Sequence, residues 1–491
     1  MAQTNVDTEL DNVNNYIGGD WTEASGSGSE AIVDSAVGET IARTTFSSED
    51  DVNRAVDVAA EAFEDWRQRP VEERIQPLFR LKTLLEEHQE EMAEVLVKEH
   101  GKTKKEAMGE IRRGIENVEV ACGIPTMMQA GHLPNAAPDI DETAVRKPLG
   151  VFTAITPFNF PAMIPLWFLP YAVATGNSFI LKPSETTPLT AQYIFELIEE
   201  AGFPGGVVQL VNGGKDTVNT LLEHDDVEGA SFVGSTPVAK HVYETAAANG
   251  KRVQAQGGAK NHIIVSESSD IEFAVDQTIS SAYANSGQRC LANPSAVVHD
   301  DVYDEFADRL AEALEDYTVA GGLDDDADMG PLISEEHREN VLEYIETGEE
   351  EGAELLYDGR DVDVPDDGYF LAPTLFGDVD PEMTIGKEEI FGPVLSLIRV
   401  ADFEEAIETV NQSQFGNAAS LFTERGAEAK QFRHEVEAGN LGVNTGTAAP
   451  MAFFHFGGWK DSFFGDLHAQ GEDMIHFYTD EAVYIERWPD A

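Results

Sequence analysis

The first part of the chain carries apolar residues at the spacing of a helix. Between Val71 and Glu99 an apolar stripe faces Glu and Gln on the opposite side, the pattern of an amphipathic helix. A second helix is predicted from Lys104 to Ala121. The residues that define the first stripe and its border are Ile75, Leu78, Phe79, Lys82, Leu85 and Met92.

After residue 150 the pattern changes to short apolar runs separated by helical stretches such as Thr190–Ala201. Each run ends in Gly, Pro, Asn or Ser. This alternation predicts parallel strands joined by crossover helices, and ligands of such sheets bind beyond the carboxyl ends of the strands. The predicted strands are Val151–Ile155, Ser178–Leu181, Val207–Val211 and Ala230–Val233.

A second unit of the same kind follows. Its predicted helices are Asp301–Tyr317 and Phe403–Asn411. The predicted fold class is therefore α/β, with two doubly wound α/β domains. The strands assigned to this second unit are His262–Val265, Ala296–Val298, Val394–Ile398 and Ala419–Phe422.

The net charge changes the picture of the surface. The 491 residues include 32 Lys and Arg against 91 Asp and Glu, which gives −59. Such a chain repels nucleic acid and anionic membranes. At molar salt the Debye length falls to ~3 Å, so self-repulsion is screened. We expect adaptation to a salt-rich cytoplasm; the alternative is an acidic protein from an ordinary cytoplasm.

Cysteine usage and the N-terminal sequence indicate a reduced, cytoplasmic protein. The two cysteines, Cys122 and Cys290, make no disulfide framework, and no Cys/His cluster has zinc spacing. No signal-peptide pattern opens the chain. The most apolar run, Ala162–Ala174, is broken by Pro165 and Pro170 and is too short to span a bilayer. No metal centre is predicted.

Cys290 is the most informative residue for chemistry. It ends the polar segment Asn285-Ser-Gly-Gln-Arg289-Cys290, whereas a structural cysteine usually lies among apolar neighbours. A nucleophilic thiolate needs a partly exposed, electropositive setting, and Arg289 supplies a fixed positive charge beside it. The alternative is a loop cysteine without function.

Five motifs in fixed order identify a family. They are Thr156-Pro-Phe-Asn-Phe-Pro161, Leu181-Lys-Pro-Ser-Glu185, Phe232-Val-Gly-Ser-Thr236, Gly287-Gln-Arg-Cys290 and Glu389-Ile-Phe-Gly-Pro393. Together they resemble the aldehyde dehydrogenase superfamily over roughly residues 15 to 488. The resemblance implies NAD(P)-dependent oxidation of an aldehyde through a thioester on Cys290.

The chemistry of that reaction fits Asn159. Thiolate attack on an aldehyde creates an oxyanion, which needs donors fixed in place beforehand. The resemblance assigns this task to the Asn159 side-chain amide and the backbone N–H of Cys290. The alternative role of Asn159 is turn formation between Pro157 and Pro161.

The resemblance also places the cofactor, although no G-x-G-x-x-G follows a strand. It implies that Lys182 and Glu185 hold the adenosine ribose and that Gly234 and Ser235 open a helix facing the pyrophosphate. A carboxylate at Glu185 would repel a 2′-phosphate, so NAD is favoured over NADP. The other implied cofactor residues are Thr156, Phe158, Glu389 and Phe391. The alternatives to these cofactor roles are a solvated lysine, an N-cap serine and a surface glutamate.

The acyl acceptor is predicted from Gln256. Hydrolytic members carry Glu four residues before the Lys of a Gly-Gly-Lys-Asn run, and here Gln256 precedes Lys260-Asn261 at that spacing. An amide cannot serve as a general base. The Gly-Ala-Lys-Asn-His run is similar to the methylmalonate-semialdehyde dehydrogenase branch, which implies coenzyme A as co-substrate.

Two arginines agree with a carboxylate-bearing substrate. The branch has an Arg beside the nucleophile, here Arg289, and another in an Arg-Gly-Ile-Glu context, here Arg113. A semialdehyde carries a carboxylate that Arg can clamp with two hydrogen bonds. The alternative for Arg113 is a surface ion pair, with Arg112 as a rival.

Several readings stay open. Tyr283, Asn285 and Ser286 are more similar to generic dehydrogenases, so succinate semialdehyde and a hydrolytic reaction with a relocated base remain alternatives. A non-catalytic structural protein on this scaffold is the remote alternative.

The resemblance implies three parts. They are an NAD-binding domain in 1–129 and 147–252, a catalytic domain in 253–445, and a small β oligomerisation region in 130–146 and 446–491. Within the last, Ala130–Arg146 and His476–Trp488 are apolar strands that need a partner. We expect a homo-oligomer, either a dimer or a tetramer.

Overall fold

A computed structural model describes residues 12–488, and its largest sheet contains all four strands predicted for the first unit. The five central strands are parallel, and the edge strands are antiparallel. Val151–Ile155 and Ser178–Lys182 are buried on both faces, which explains their continuous apolar sequence. The order of the sheet is Phe463–Gly465, Arg252–Gln256, Val227–Val233, Val151–Ile155, Ser178–Lys182, Val208–Leu210, Asn15–Ile17 and Asp20–Thr22.

A second sheet of seven strands forms the other α/β unit, as predicted. All neighbours are parallel except the edge pair Glu354–Tyr357 and Thr374–Gly377. The order of the sheet is Glu354–Tyr357, Thr374–Gly377, Val394–Val400, Ser295–His299, His262–Val265, Ala418–Phe422 and Asn440–Val443.

The two segments outside these units form one antiparallel sheet. Thr479–Arg487 pairs along its whole length with Ile140–Pro148, which also pairs with His132–Ala137. Both segments therefore contain strands, but residues 476–478 end the helix Gly471–Tyr478. Their role in a subunit contact stays a prediction. The remaining strands of the described chain form two small separate sheets and are Asn12–Val13, Ser29–Asp34, Glu39–Thr45, Phe415–Gly416 and Trp459–Lys460.

Helices cover the faces of both large sheets, and none of those in residues 12–488 is long and apolar enough to cross a membrane. Their bounds are Glu49–Trp66, Val71–Arg74, Gln76–Glu87, Gln89–His100, Lys104–Cys122, Ile124–Met127, Met163–Thr175, Leu189–Ala201, Lys215–Glu223, Thr236–Ala248, Ile271–Tyr283, Asp300–Leu314, Glu335–Glu351, Thr384–Lys387, Phe403–Gln412, Gly426–Glu435 and Gly471–Tyr478.

The continuous helix predicted from Val71 to Glu99 is wrong. Three helices occupy this stretch, with breaks at Ile75 and His88. Pro77 lies in the first turn of the middle helix, where a residue without a backbone N–H is tolerated but cannot continue a preceding helix. Phe79, assigned to the apolar stripe, is 48% exposed.

The division into domains stays a prediction, but two of its boundaries fall inside elements. The boundary between 146 and 147 divides the strand Ile140–Pro148. Arg252–Gln256 pairs with Val227–Val233 over its whole length, so residues 253–256 lie in the first sheet. Phe463–Gly465, assigned to the oligomerisation region, forms the edge of the same sheet. The chain therefore returns to the first sheet after completing the second.

Candidate active site

The residues predicted for catalysis lie beyond the ends of parallel strands. Asn159 follows the strand Val151–Ile155 and is 4% exposed. Its side-chain nitrogen donates a hydrogen bond to the Gln288 carbonyl at 2.9 Å. A primary amide has two N–H groups, so the second remains free to donate to an oxyanion.

The turn before Cys290 has an unusual backbone. Asn285, Ser286 and Gly287 all have positive φ, at 57°, 55° and 73°. Left-handed backbone costs a residue with a side chain about 1–2 kcal/mol, so the surroundings must hold this turn in place. Ser286 Oγ donates to the Gly330 carbonyl at 2.7 Å, and a Cβ on Gly287 would collide with the Gly392 carbonyl.

Cys290 opens into a cavity of about 570 Å³. The walls are largely apolar and aromatic, and the charged residues at the cavity include those predicted to hold a carboxylate. Residues that characterise the lining are Phe160, Trp167, Phe456, Arg112, Arg113 and Arg289. The structure therefore brings the predicted nucleophile and both predicted arginines together.

The two arginines differ in their bonding. Arg113 donates to Glu116 at 2.7 Å and also to the Pro450 carbonyl, so its charge is already paired. Arg289 forms no side-chain hydrogen bond or ion pair with the rest of residues 12–488, and Glu106 and Cys290 are the charges that act on it. Burial lowers the pKa of Arg289, yet an arginine stays charged. Within the described chain, Arg289 is therefore the free cation of the cavity.

Arg112, the rival of Arg113, has a different role. It donates to Glu119 at 2.7 Å, and its side chain is 42% exposed. It therefore forms the surface ion pair that was the alternative for Arg113.

The environment of Cys290 differs from the electropositive setting expected from sequence. Burial raises the pKa of the Cys290 thiol to about 11; the Arg289 charge opposes this shift, and Glu389 adds to it. Burial wins because the thiolate loses its hydration. Two amides fix the carbonyl of Cys290: Asn261 donates to it at 2.9 Å and Asn417 at 2.7 Å.

Glu389 lies close enough to Cys290 for its charge to act on the thiol, and both residues are half-buried. Its carboxylate accepts a hydrogen bond from the Ala259 N–H at 2.8 Å. Burial raises the pKa of Glu389 to about 7, against the Ala259 hydrogen bond and the charge of Lys260. A carboxyl group with this pKa can exchange protons near neutral pH.

The residues predicted for the cofactor lie along the same edge. Lys182 donates to Glu185 at 2.8 Å. Burial opposes ionisation of Glu185, but the Lys182 ammonium outweighs it and holds the pKa of the carboxyl below its usual value. The rings of Phe158 and Phe391 pack edge to face, with 6.0 Å between the ring centroids.

Two further observations show room for a ligand at this edge. Ser235 is the N-cap of the helix Thr236–Ala248, and its side chain makes no capping hydrogen bond. The N–H groups of Thr236 and Val238 therefore have no capping partner in the described part of the chain and suit a phosphate, directly after Gly234; Pro237 between them has no N–H. The Thr156 hydroxyl is buried without a partner within the described residues.

Gln256 ends the strand Arg252–Gln256 and is 5% exposed. Neither its side-chain oxygen nor its side-chain nitrogen has a hydrogen-bond partner among residues 12–488. Buried amides are usually paired, so an unpaired one indicates a place for a ligand or water.

Sequence reasoning missed the residues that support these groups. Asn417 was not recognised, and Asn261 was used only to assign the subfamily. Lys102 and Glu110, a fully buried ion pair at 2.6 Å, contact the Asn159 turn and were also missed. The only sequence signal nearby is the capping box Thr103-x-x-Glu106, which marks a helix start rather than a site.

Two surface groups of residues, Asp57–His224–Asp226 and Glu267–His299–Asp301, bring possible metal ligands within 4.8 Å of one another. Their acidic residues are exposed and take no part in the lining of the Cys290 cavity.

Comparisons with known proteins agree with this geometry. The model of the aldehyde dehydrogenase family matches residues 21–483. A malonate-semialdehyde dehydrogenase of Halalkalibacterium halodurans is 50% identical over 96% of this chain and 98% of its own. One from Geobacillus thermodenitrificans is 48% identical over 98% of this chain and 100% of its own.

Solved structures show the same likeness. The methylmalonate-semialdehyde dehydrogenase of Oceanimonas doudoroffii superposes with a TM-score of 0.96 at 42% identity, covering 98% of this chain and 99% of its own. A Sinorhizobium meliloti protein described as a methylmalonate-semialdehyde dehydrogenase complexed with NAD has a TM-score of 0.97 at 38% identity, with the same coverage.

Proposed function

Because the chain belongs to the aldehyde dehydrogenase family, we propose that it oxidises malonate or methylmalonate semialdehyde with NAD and passes the acyl group to coenzyme A. The observation that carries the substrate class is the unpaired guanidinium of Arg289 in the cavity of Cys290. A charged group held without a partner in a largely apolar cavity favours a substrate of opposite charge.

The bond-making steps follow from the positions of the side chains. The Cys290 thiolate attacks the aldehyde carbon, and the free N–H of Asn159 and the backbone N–H of Cys290 stabilise the oxyanion. When NAD is bound it accepts the hydride, which leaves the acyl group on Cys290 as a thioester.

The cofactor edge fits NAD. The free first turn of Thr236–Ala248 suits a pyrophosphate, and Lys182 with Glu185 suits a ribose. The Glu185 carboxylate is ionised at neutral pH, because its pKa is lowered, and it would repel a 2′-phosphate. One relative is described as complexed with NAD, which supports the same choice.

Gln256 supports coenzyme A as the acyl acceptor. An amide cannot deprotonate water, whereas a thiol can attack a thioester as its own thiolate. The acyl thioester on Cys290 carries a carboxylate on its α-carbon, and this group can leave as CO2 because the thioester carbonyl accepts the electron pair as an enolate. The enolate then takes a proton at the α-carbon, and attack by the coenzyme A thiolate releases Cys290 and gives acetyl- or propionyl-CoA.

One observation favours the competing hydrolytic reaction. Glu389 is a carboxyl group close to Cys290 with a pKa of about 7, which is the range of an effective general base. A relocated base of this kind would release the free acid, and succinate semialdehyde would then be a possible substrate.

Replacement of the arginines tests the substrate class. Arg289→Met should lower kcat/KM for malonate semialdehyde by about 100-fold, since a lost charged hydrogen bond costs roughly 1.5–3 kcal/mol. Propanal, which lacks a carboxylate, should lose much less. Arg113→Met should show the same preference to a smaller degree, because Glu116 already pairs with that guanidinium.

Arg112→Met is the matched control, because Arg112 forms a surface ion pair. Equal losses for malonate semialdehyde and propanal in Arg289→Met would remove the carboxylate from the proposal.

The assembly is proposed to be a homo-oligomer, a dimer or a tetramer. The sheet of Thr479–Arg487 exposes Val483 by 62% and Ile485 by 62%, and its neighbour strand exposes Val145 by 42%. Apolar strands at this exposure favour a second copy as partner. Light scattering in high salt distinguishes a monomer from the proposed oligomer.

The working environment is proposed to be a salt-rich cytoplasm. The net charge of −59 supports this, because salt at molar concentration screens the repulsion between surface carboxylates.

A further inference from the structure

The helix Lys104–Cys122 begins between the two loops that carry the proposed catalytic groups. At its N-terminal end lie Lys102, Glu106 and Glu110, which also border the cavity of Cys290. Each forms a hydrogen bond to the backbone of one loop or the other. These contacts cross long distances in sequence, so the relative position of the two loops depends on them.

The first set of contacts holds the Asn159 loop. Lys102 Nζ donates to the Asn159 carbonyl at 2.7 Å and to Glu110 at 2.6 Å. The other oxygen of Glu110 accepts from the N–H groups of Ala162 at 2.7 Å and Met163 at 3.1 Å. The backbone is therefore fixed at the Asn159 carbonyl and again at Ala162 and Met163, in the turn that follows.

The ion pair of Lys102 and Glu110 is suited to holding backbone atoms at defined positions, and not only to filling space. Both side chains are completely buried, and Lys102 also lies 4.3 Å from the centre of the Phe160 ring. Buried ion pairs are often no more stabilising than apolar residues of the same size, but they demand defined geometry. One oxygen of Glu110 accepts from backbone N–H groups, and the other accepts from Lys102, which in turn holds the Asn159 carbonyl.

The second set holds the turn before the nucleophile. Glu106 accepts from the Asn285 N–H at 2.5 Å through one oxygen and from Thr103 through the other. Asn285 is the first of the three left-handed residues that lead to Cys290.

The two loops meet at one atom. The side chains of Asn159 and Asn285 both donate to the Gln288 carbonyl, at 2.9 Å and 3.0 Å. A shift of either loop would therefore change the distance from the Asn159 amide to Cys290.

We propose that Lys102 and Glu110 are positioning residues that set the Asn159 donor against Cys290, with Glu106 holding the nucleophile turn from the same helix end. The inference rests on the proposed catalytic roles of Asn159 and Cys290. It predicts that the buried pair acts on the rate only through Asn159.

A double-mutant cycle tests this route. Lys102→Met with Glu110→Gln removes both charges together, which avoids a lone buried charge. It should lower kcat for NADH formation by about 10- to 100-fold, since a misplacement of about 1 Å costs up to 10²-fold, with KM for NAD changed less than about threefold. In an Asn159→Ala background, which itself should lose about 10²–10³-fold, the same pair of changes should cost less than about threefold.

Two more measurements separate positioning from general damage. The alkylation rate of Cys290 by iodoacetamide should be unchanged, because alkylation develops no oxyanion. Lys104→Met, which breaks an exposed ion pair with Glu94 on the same helix end, should leave kcat unchanged. If the double replacement does not fold, Glu110→Asp decides: it keeps both charges but draws the carboxylate back by one methylene, and its loss of kcat should also vanish in Asn159→Ala.

Losses that simply add in the Asn159→Ala background, or no loss of kcat in the wild-type background, would overturn the positioning role. If Asn159→Ala itself retained full activity, the proposed catalytic site would fail first. The two failures are therefore distinguishable.

Discussion

At the scale of single residues, the protonation of Cys290 governs reactivity. Burial raises the pKa of its thiol to about 11, and Arg289 holds the value below what burial alone would give. In the protein without ligand, the thiolate is therefore a small fraction at neutral pH.

The rate of alkylation by iodoacetamide should follow that fraction. In a Cys122→Ala background it should rise about tenfold per pH unit between about pH 7 and 9, without a plateau. Arg289→Met should lower the rate at every pH, because loss of the positive charge raises the thiol pKa further. A plateau below about pH 8 would show that the thiol is activated in the free protein.

We predict that the residue at position 256 determines whether water can accept the acyl group. Gln256→Glu would place a carboxylate where hydrolytic members carry their base, so NADH formation without coenzyme A should increase. Gln256→Ala is the control, since it removes the amide without adding a base. Equal rates without coenzyme A in Gln256→Glu and Gln256→Ala would show that this position does not set the acceptor.

The sequence is most informative for residues whose role lies in local motifs. Cys290, Asn159 and Lys182 each stand inside a recognisable run. Lys102 does not, because its partners lie 8 and 57 residues away and no periodicity links them. The contact of Arg113 with the Pro450 carbonyl, 337 residues away, also could not be predicted from sequence.

At the scale of elements, long side-chain hydrogen bonds fasten the strands to one another. Asn177 is fully buried; its oxygen accepts from the N–H groups of Leu149 and Gly150, and its nitrogen donates to the Tyr478 carbonyl. It joins the start of the central strand to the last helix and the strand Thr479–Arg487 that follows.

Asn177→Ala should therefore destabilise the protein. It leaves three backbone groups unpaired in the interior, and each costs about 1–3 kcal/mol, so a loss of roughly 3 kcal/mol or more is expected. Asn249→Ala, which removes one exposed hydrogen bond at a helix end, is the control and should cost less than about 0.5 kcal/mol. Chemical denaturation measures both, and similar losses would contradict the assignment.

The elements themselves were largely predictable because buried parallel strands have distinctive apolar runs. The predicted ends of helices and strands were wrong where a proline or a break in the apolar pattern determines where the element begins or ends. Pro77 divides an amphipathic stretch that looks continuous. The strand Val227–Val233 begins three residues before its predicted start, because Glu228 and Gly229 interrupt the apolar run.

For the molecule as a whole, the net charge is the property that most affects the expected stability. With 91 acidic against 32 basic residues, like charges on the surface repel one another in dilute buffer. Repulsion of this kind destabilises the compact state and is screened by salt.

The melting temperature should therefore rise substantially between ~0.1 M and ~3 M KCl, as the Debye length falls from ~10 Å to below ~3 Å. Sucrose at equal osmolality is the control, since it stabilises proteins without screening charge. A melting temperature that KCl leaves unchanged, or that sucrose raises equally, would contradict adaptation to a salt-rich cytoplasm.

The proposed function depends on the fate of the acyl group on Cys290, which a measurement of coenzyme A dependence reveals. NADH formation from malonate semialdehyde should be measured in molar KCl, with and without coenzyme A, and the acyl product identified. We predict a single burst of NADH without coenzyme A, followed by slow turnover, and sustained turnover to acetyl-CoA when it is present. Full turnover to a free acid without coenzyme A would contradict the account and would direct attention to Glu389 as the base.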